Sequence, residues 1–195
     1  MKFWLTKKRE QLRDWVLRHA EGPRARLWLI AFSFSEASFF PVPPDVLLIA
    51  ILLTNGANWV KYSLITTLSS VSGGVLGYII GASFFAVLGE PLITFYHLEE
   101  SVLYLGTVFS EKAFVSIFLA AFTPIPFKVF TIAAGLFHID FFIFIIASLL
   151  GRGMRFFAVG YLVHRFGEKI SLLLFKYFNI ISLFIAIIIL ALIFT

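Results

Sequence analysis

Apolar and polar positions do not alternate regularly along this chain; they come in long apolar runs cut at a few places by prolines and charges. From Leu27 the chain is apolar until Glu36, the Pro41-Val42-Pro43-Pro44 cluster and Asp45, and it resumes from Val46 to about Thr54, where Asn55-Gly56 turns it. Neither arm reaches the roughly 20 helical residues needed to cross a hydrocarbon core. Each proline inside a helix removes a backbone bond, at about 3 kcal/mol. Broken backbone at membrane depth survives only when it is buried in protein or lines a cavity. Residues 27–56 are therefore expected to form a re-entrant helix–break–helix hairpin. Residues 62–89 carry no charge before Glu90 and are long enough for one crossing. Residues 113–137 repeat the broken hairpin around Thr123-Pro124-Ile125-Pro126-Phe127-Lys128. Residues 140–164 form a second crossing interrupted by Arg152 and Arg155, and 171–195 a last one.

The two breaks are copies. Sliding the sequence by 83 positions lays Pro41 on Pro124, Val42 on Ile125, Pro43 on Pro126, Val46 on Val129 and Ala50 on Ala133, and then Gly77-Tyr78-Ile79-Ile80 on Gly160-Tyr161-Leu162-Val163. A register held this far is an internal repeat. One crossing separates the hairpins, so the second is expected to enter from the opposite face. The expected fold is an all-α polytopic membrane protein, an inverted repeat of two facing re-entrant hairpins with transmembrane helices. Broken helices that meet near the midplane are a transporter arrangement. Ser69, Gly73, Gly77 and Gly81 recur every four residues along the first crossing, a small-residue stripe suited to close helix packing.

Composition agrees with the pattern. The 195 residues are 60% apolar with 14% charged and a mean hydropathy of +0.96, whereas soluble domains carry about 25% charged residues. The eight Lys and Arg among residues 1–26, Lys61, and the group Arg165, Lys169 and Lys176 place those segments inside by the positive-inside rule. Glu90, Glu99, Glu100 and Glu111 place the connection between the hairpins outside. This orientation puts the N-terminus in the cytoplasm of a bacterial-type inner membrane. Residues 3–20 read equally well as an interfacial amphipathic helix, with Leu12, Trp15, Val16 and His19 on one face, or as a solvated basic leader.

Five ionisable residues sit in apolar surroundings: Glu36, Asp45, Lys128, Arg152 and Arg155. A lone charge at mid-membrane costs about 2.5 to 3.5 kcal/mol on insertion scales, so such groups pair, hydrate or serve function. Arg152 and Arg155 share a helical face, with Gly151 and Gly153 beside them for close backbone approach. Asp45 and Lys128 hold equivalent repeat positions and are expected to pair. If they do, the structural alternative is that the arginines snorkel to headgroups. Two acids against three bases leave one positive charge over, which suits a phosphate or carboxylate. The four histidines show no ligand spacing and the chain has no cysteine, so no metal site, cofactor or thiol chemistry is expected. No nucleophile lies beside the acids, so the chain is expected not to be an enzyme, and no nucleic-acid partner is implied.

At these residues the chain resembles the DedA, or VTT-domain, family (SNARE-associated Golgi protein-like), in its YqaA-like subgroup. The resemblance covers about Ile30 to His164. It rests on Glu36 with Pro41-Val42-Pro43-Pro44-Asp45, on Phe122-Thr123-Pro124-Ile125-Pro126-Phe127-Lys128 leading to Ala134-Gly135, and on Gly151-Arg152-Gly153. It implies transbilayer movement of an anionic lipid, such as undecaprenyl phosphate or a phospholipid, of flippase or scramblase type and linked to protons. It also implies that Glu36 and Asp45 are essential acids and Lys128 an essential base. Many members carry an arginine just before the first proline of the second hairpin, where this chain has Ala121-Phe122-Thr123; Arg152 and Arg155 are expected to compensate. The alternatives are a proton- or cation-coupled carrier of a small solute and a non-transporting membrane scaffold. Homo-oligomerisation stays open.

Overall fold

A computed structural model describes residues 24–38, 44–84, 94–95 and 99–194. The expected amphipathic segment at residues 3–20, the first break at Pro41, Val42 and Pro43, and Glu90 lie outside the described residues. Every regular element among the described residues is helical: α1 Ala25–Ser38, α2 Pro44–Thr54, a short 3-10 turn Gly56–Asn58, α3 Trp59–Phe84, α4 Glu99–Glu111, α5 Ala113–Phe122, α6 Phe127–Leu136 and α7 Phe141–Phe194.

Local chemistry sets these boundaries. Pro44 opens α2, where its missing N–H is no loss and its fixed φ suits the first turn. Asp45 follows in that first turn, on the side of the helix dipole that favours an acid. α5 stops at Thr123, whose hydroxyl bonds Leu119 O at 2.7 Å and whose ψ of 172° is extended. Pro126 (φ −61°, ψ 99°) then leads into α6, so the second break spans Thr123 to Pro126. Asp140 caps α7 by accepting the Ile143 N–H at 2.9 Å. Gly167 adopts φ +70°, ψ −170° inside α7, a left-handed backbone that glycine tolerates, and it separates the helix into 141–166 and 168–194.

Among the described residues, two stretches, Gly56–Phe84 and Phe141–Gly167, are long and apolar enough to cross a membrane, and a third is counted if Val102–Glu111 and Ala113–Phe122, bent by 75° at their junction, are one span. α1, α2, α5 and α6 have 14, 11, 10 and 10 residues, each well short of about 20.

Pairwise contacts fix helix directions. Trp59 meets Tyr161 and His164, Ser63 bonds Phe156 O at 3.0 Å, and Thr67 faces Gly153, so α3 and α7 run antiparallel. α6 runs along α3, with Phe127 at Gly74 and Ile132 at Gly81. α2 runs along α7, from Asp45 at Arg155 to Gly56, just past its end, at His164. α1 runs along α3, with Phe34 at Gly73 and Ala37 at Gly77. α1 and α2 therefore point opposite ways.

Glycines make these approaches close. A Cβ on Gly73 would run into the Phe34 carbonyl oxygen, one on Gly81 into Ile132 O, and one on Gly77 into the Thr131 hydroxyl. The expected stripe is thus a helix-packing surface at Gly73, Gly77 and Gly81, while Ser69 is only half-buried. Gly151 packs equally tightly against Ala121 and Phe118 O, but Gly153 does not: its nearest neighbour is Thr67 Cγ2 at 3.8 Å. Gly153 points away from α5, which corrects the expectation that both glycines serve close approach.

Two apolar clusters form the core. One gathers Leu29, Leu48, Leu52, Phe156, Val159 and Val163; the other gathers Ala37, Ile117, Ala121, Phe127, Phe144 and Ala147. Along α7 the boundary between them falls at residues 148–155, where the arginines are.

Candidate functional site

At that boundary four of the five expected ionisable residues meet. Arg152 Nη2 lies 3.1 Å from Glu36 Oε2 and bonds Oε1 at 3.4 Å. Arg155 Nη2 bonds Asp45 Oδ2 at 3.0 Å, and its Nη1 bonds the Phe122 carbonyl at 3.1 Å. Side-chain exposure is 5% for Arg152, 6% for Arg155, 5% for Asp45 and 17% for Glu36. Glu36 is the most exposed of the four.

Each contact follows from its element. The arginines are one turn apart on α7, so they leave the helix on the same side. Glu36 comes from the end of α1 and Asp45 from the first turn of α2, so the two acids flank the first break. Phe122 is the last residue of α5, where carbonyls lack helical partners, and Arg155 satisfies one. Arg155 thereby joins the first hairpin segment to the lip of the second break. Arg152 also lies over Phe127, with Cζ 4.3 Å from the ring centroid, and 5.7 Å from that of Phe156. An aromatic face attracts a guanidinium, the more so when water is excluded.

One expectation is corrected here. Asp45 pairs with Arg155 and not with Lys128. The alternative of snorkelling arginines is excluded, since Arg152 and Arg155 are buried at 4% and 5% exposure. The reason is geometric: α2 lies along α7 and not across from α6, so the arginine on α7 is the nearest base. Lys128 is half-buried in the first turn of α6 and forms neither of the two described ion pairs. The positive charge left over from two acids and three bases therefore falls on Lys128. Pro124 and Pro126 are exposed beside it, and Pro41 and Pro43 lie outside the described residues.

Polar atoms remain unmatched inside this layer. Asp45 Oδ1, Arg152 Nε and the hydroxyls of Ser70 and Ser148 are buried without a hydrogen-bond partner, whereas Glu36 Oε2 is held by its ion pair with Arg152. The sequence reading did not single out Ser70, Ser148, Phe127 or Phe156. The signal for Ser148 was its place one turn before Arg152; Phe127 and Phe156 had none, being two of 25 phenylalanines.

Residues 42–165 match the VTT domain. The chain belongs to the VTT-domain (DedA) family. It is 37% identical over 159 residues to an uncharacterized protein of Haemophilus influenzae, covering 81% of this chain and 82% of that one. It is 30% identical over 163 residues to an uncharacterized homologue in Histophilus somni, covering 82% and 83%. An uncharacterized protein of the archaeon Methanocaldococcus jannaschii is 31% identical over 122 residues, covering 63% of this chain and 73% of the relative. No solved structure matches the chain. The VTT match contains Asp45, Lys128, Arg152 and Arg155, and Glu36 lies just ahead of it. Membership of this family and the apolar helices make the chain a membrane protein.

Proposed function

We propose that this VTT-domain protein carries an anionic lipid, a polyprenyl phosphate or a phospholipid, across the bilayer without altering it chemically. The observation that carries this reading is the arrangement of charge. Two buried acid–arginine pairs leave Lys128 as the half-buried base without a described carboxylate, at the edge of the second break. A phosphate headgroup finds a cation there and two arginines behind it, while its tails stay among the exposed apolar faces of α3 and α7. Headgroup entry competes for the arginines. Glu36 and Asp45 then hold the displaced charge or take a proton, which gives a route to proton coupling.

The packing of the two sequence copies supports this use. α3 and α7 correspond under the 83-residue shift, and they run antiparallel. α6 lies along α3 as α2 lies along α7, so each second arm packs on the other copy's crossing. Tyr78 bonds Ile139 O at 2.7 Å and His164 bonds Gly56 O at 3.0 Å. The two accepting residues, Gly56 and Ile139, are themselves equivalent under the shift. In this reading the breaks enter from opposite faces of a bacterial inner membrane, with the N-terminus in the cytoplasm.

The test is lipid movement in liposomes with headgroup-labelled lipids of matched tails. Anionic phosphate-bearing lipids are expected to cross faster than lipids of no net charge. Lys128→Ala is expected to remove that preference without loss of folded protein, and Lys128→Arg to keep most of it. Equal rates for both lipid types in the unaltered protein would overturn the anion reading.

A further inference from the structure

The four unmatched polar atoms are not scattered. Along the face of α3 that meets α7 and then α6, Thr67 faces Gly153 and Gly74 faces Phe127, and Ser70 lies on that face between the two contacts. Arg152 reaches the same level, because its guanidinium covers the Phe127 ring at 4.3 Å. Ser148 stands one turn from Arg152 on the same side of α7. Glu36 is held by Arg152 at 3.1 Å, and Asp45 by the next arginine. Ser70 and Ser148 are fully buried, and their hydroxyls are unmatched together with Arg152 Nε and Asp45 Oδ1.

The other hydroxyls buried on these helices behave differently. Ser63, Thr66, Thr67, Thr123 and Thr131 each bond a backbone carbonyl. A serine on a helix has the carbonyl one turn back within reach, so Ser70 and Ser148 forgo an available bond. Buried polar atoms that the chain leaves unmatched are costly unless something else bonds them. The set offers donors (Arg152 Nε–H, two hydroxyls) and acceptors (a carboxylate oxygen, two hydroxyls). One small ligand both donates and accepts: water.

We infer that Ser70, Ser148 and Arg152 Nε form an internal water-binding site between α3, α6 and α7, which hydrates the Glu36–Arg152 and Asp45–Arg155 pairs. Its ligand is water or hydronium, and it gives both acids a polar connection through the protein. The site is separate from lipid selection, and its test does not use lipid movement.

The chain has no cysteine, so single cysteines report without background. A thiol reacts as its thiolate, which needs water beside it. The full-length protein in liposomes is treated with aminoethyl methanethiosulfonate at Ser70→Cys, Ser148→Cys and the control Ala147→Cys, whose position is equally buried but apolar. Both serine sites are expected to react at least about tenfold faster than the control, as thiolate chemistry in water requires. Rates as slow as at Ala147→Cys would overturn the site. Ser70→Ala and Ser148→Ala give a second measurement that needs no new side chain. Removing a hydroxyl bonded to water leaves the melting temperature equal or lower. A rise in both variants would mean dry, unsatisfied hydroxyls and no water site.

Discussion

Arg155 bonds the Asp45 carboxylate at 3.0 Å with one nitrogen and the Phe122 carbonyl at 3.1 Å with the other. One side chain on the second long helix thus holds both the exit of the first break and the entrance of the second.

Removing one member of this pair leaves a buried charge alone, which costs about 3 to 5 kcal/mol where such pairs have been broken. Arg155→Ala and Asp45→Ala are each expected to lower the melting temperature sharply in detergent. The double variant is expected to lose less than the two single losses together. Additive losses would show that the two side chains do not depend on each other.

Lys128 gives the opposite expectation. Asp45→Lys combined with Lys128→Asp is expected to recover nothing, because Asp45 meets Arg155. Asp45→Arg combined with Arg155→Asp is expected to recover part of the stability lost in either single change. Thermal unfolding of the two double variants and their four single variants decides between the two pairings.

Glycine substitutions should separate by position. Gly73→Ala and Gly81→Ala push a methyl group into backbone carbonyls of α1 and α6, and overpacking of this kind costs about 1 to 3 kcal/mol. Gly153→Ala, with 3.8 Å to its nearest neighbour, is expected to be neutral or slightly stabilising, since alanine is the better helix former. Equal melting temperatures for all three would mean that α3 is not packed as closely as its glycines indicate.

Orientation is checked on the same cysteine-free background. Asn58→Cys, beside the turn between α2 and α3, is expected to label from the cytoplasmic side. Glu100→Cys, at the start of α4, is expected to label from the outside. Both residues are exposed. Labelling of both from one side would end the proposed inversion.

Some of this protein was determined by its sequence alone. The lengths of apolar runs separate helices long enough to cross from arms too short to do so, because hydrocarbon thickness and helical rise are fixed quantities. The prolines place the breaks, and Gly73, Gly77 and Gly81 mark a packing surface, because backbone and Cβ sterics are local. The cost of burying charge singles out Glu36, Asp45, Lys128, Arg152 and Arg155 before any fold is known. Sequence did not determine which acid meets which base. Glu36 and Arg152 are 116 residues apart, and Asp45 and Arg155 are 110, so no periodicity links them. Repeat symmetry favoured Asp45 with Lys128, but the packing of α2 along α7 brought Arg155 nearer. The same packing turned Gly151 into a contact and left Gly153 loose, though their neighbours in sequence are alike. It also left Ser70 and Ser148 without partners, while hydroxyls one or two turns away are bonded. Coulomb and hydrogen-bond energies act over a few ångströms, so only the tertiary arrangement of α1, α2, α3, α6 and α7 could decide them.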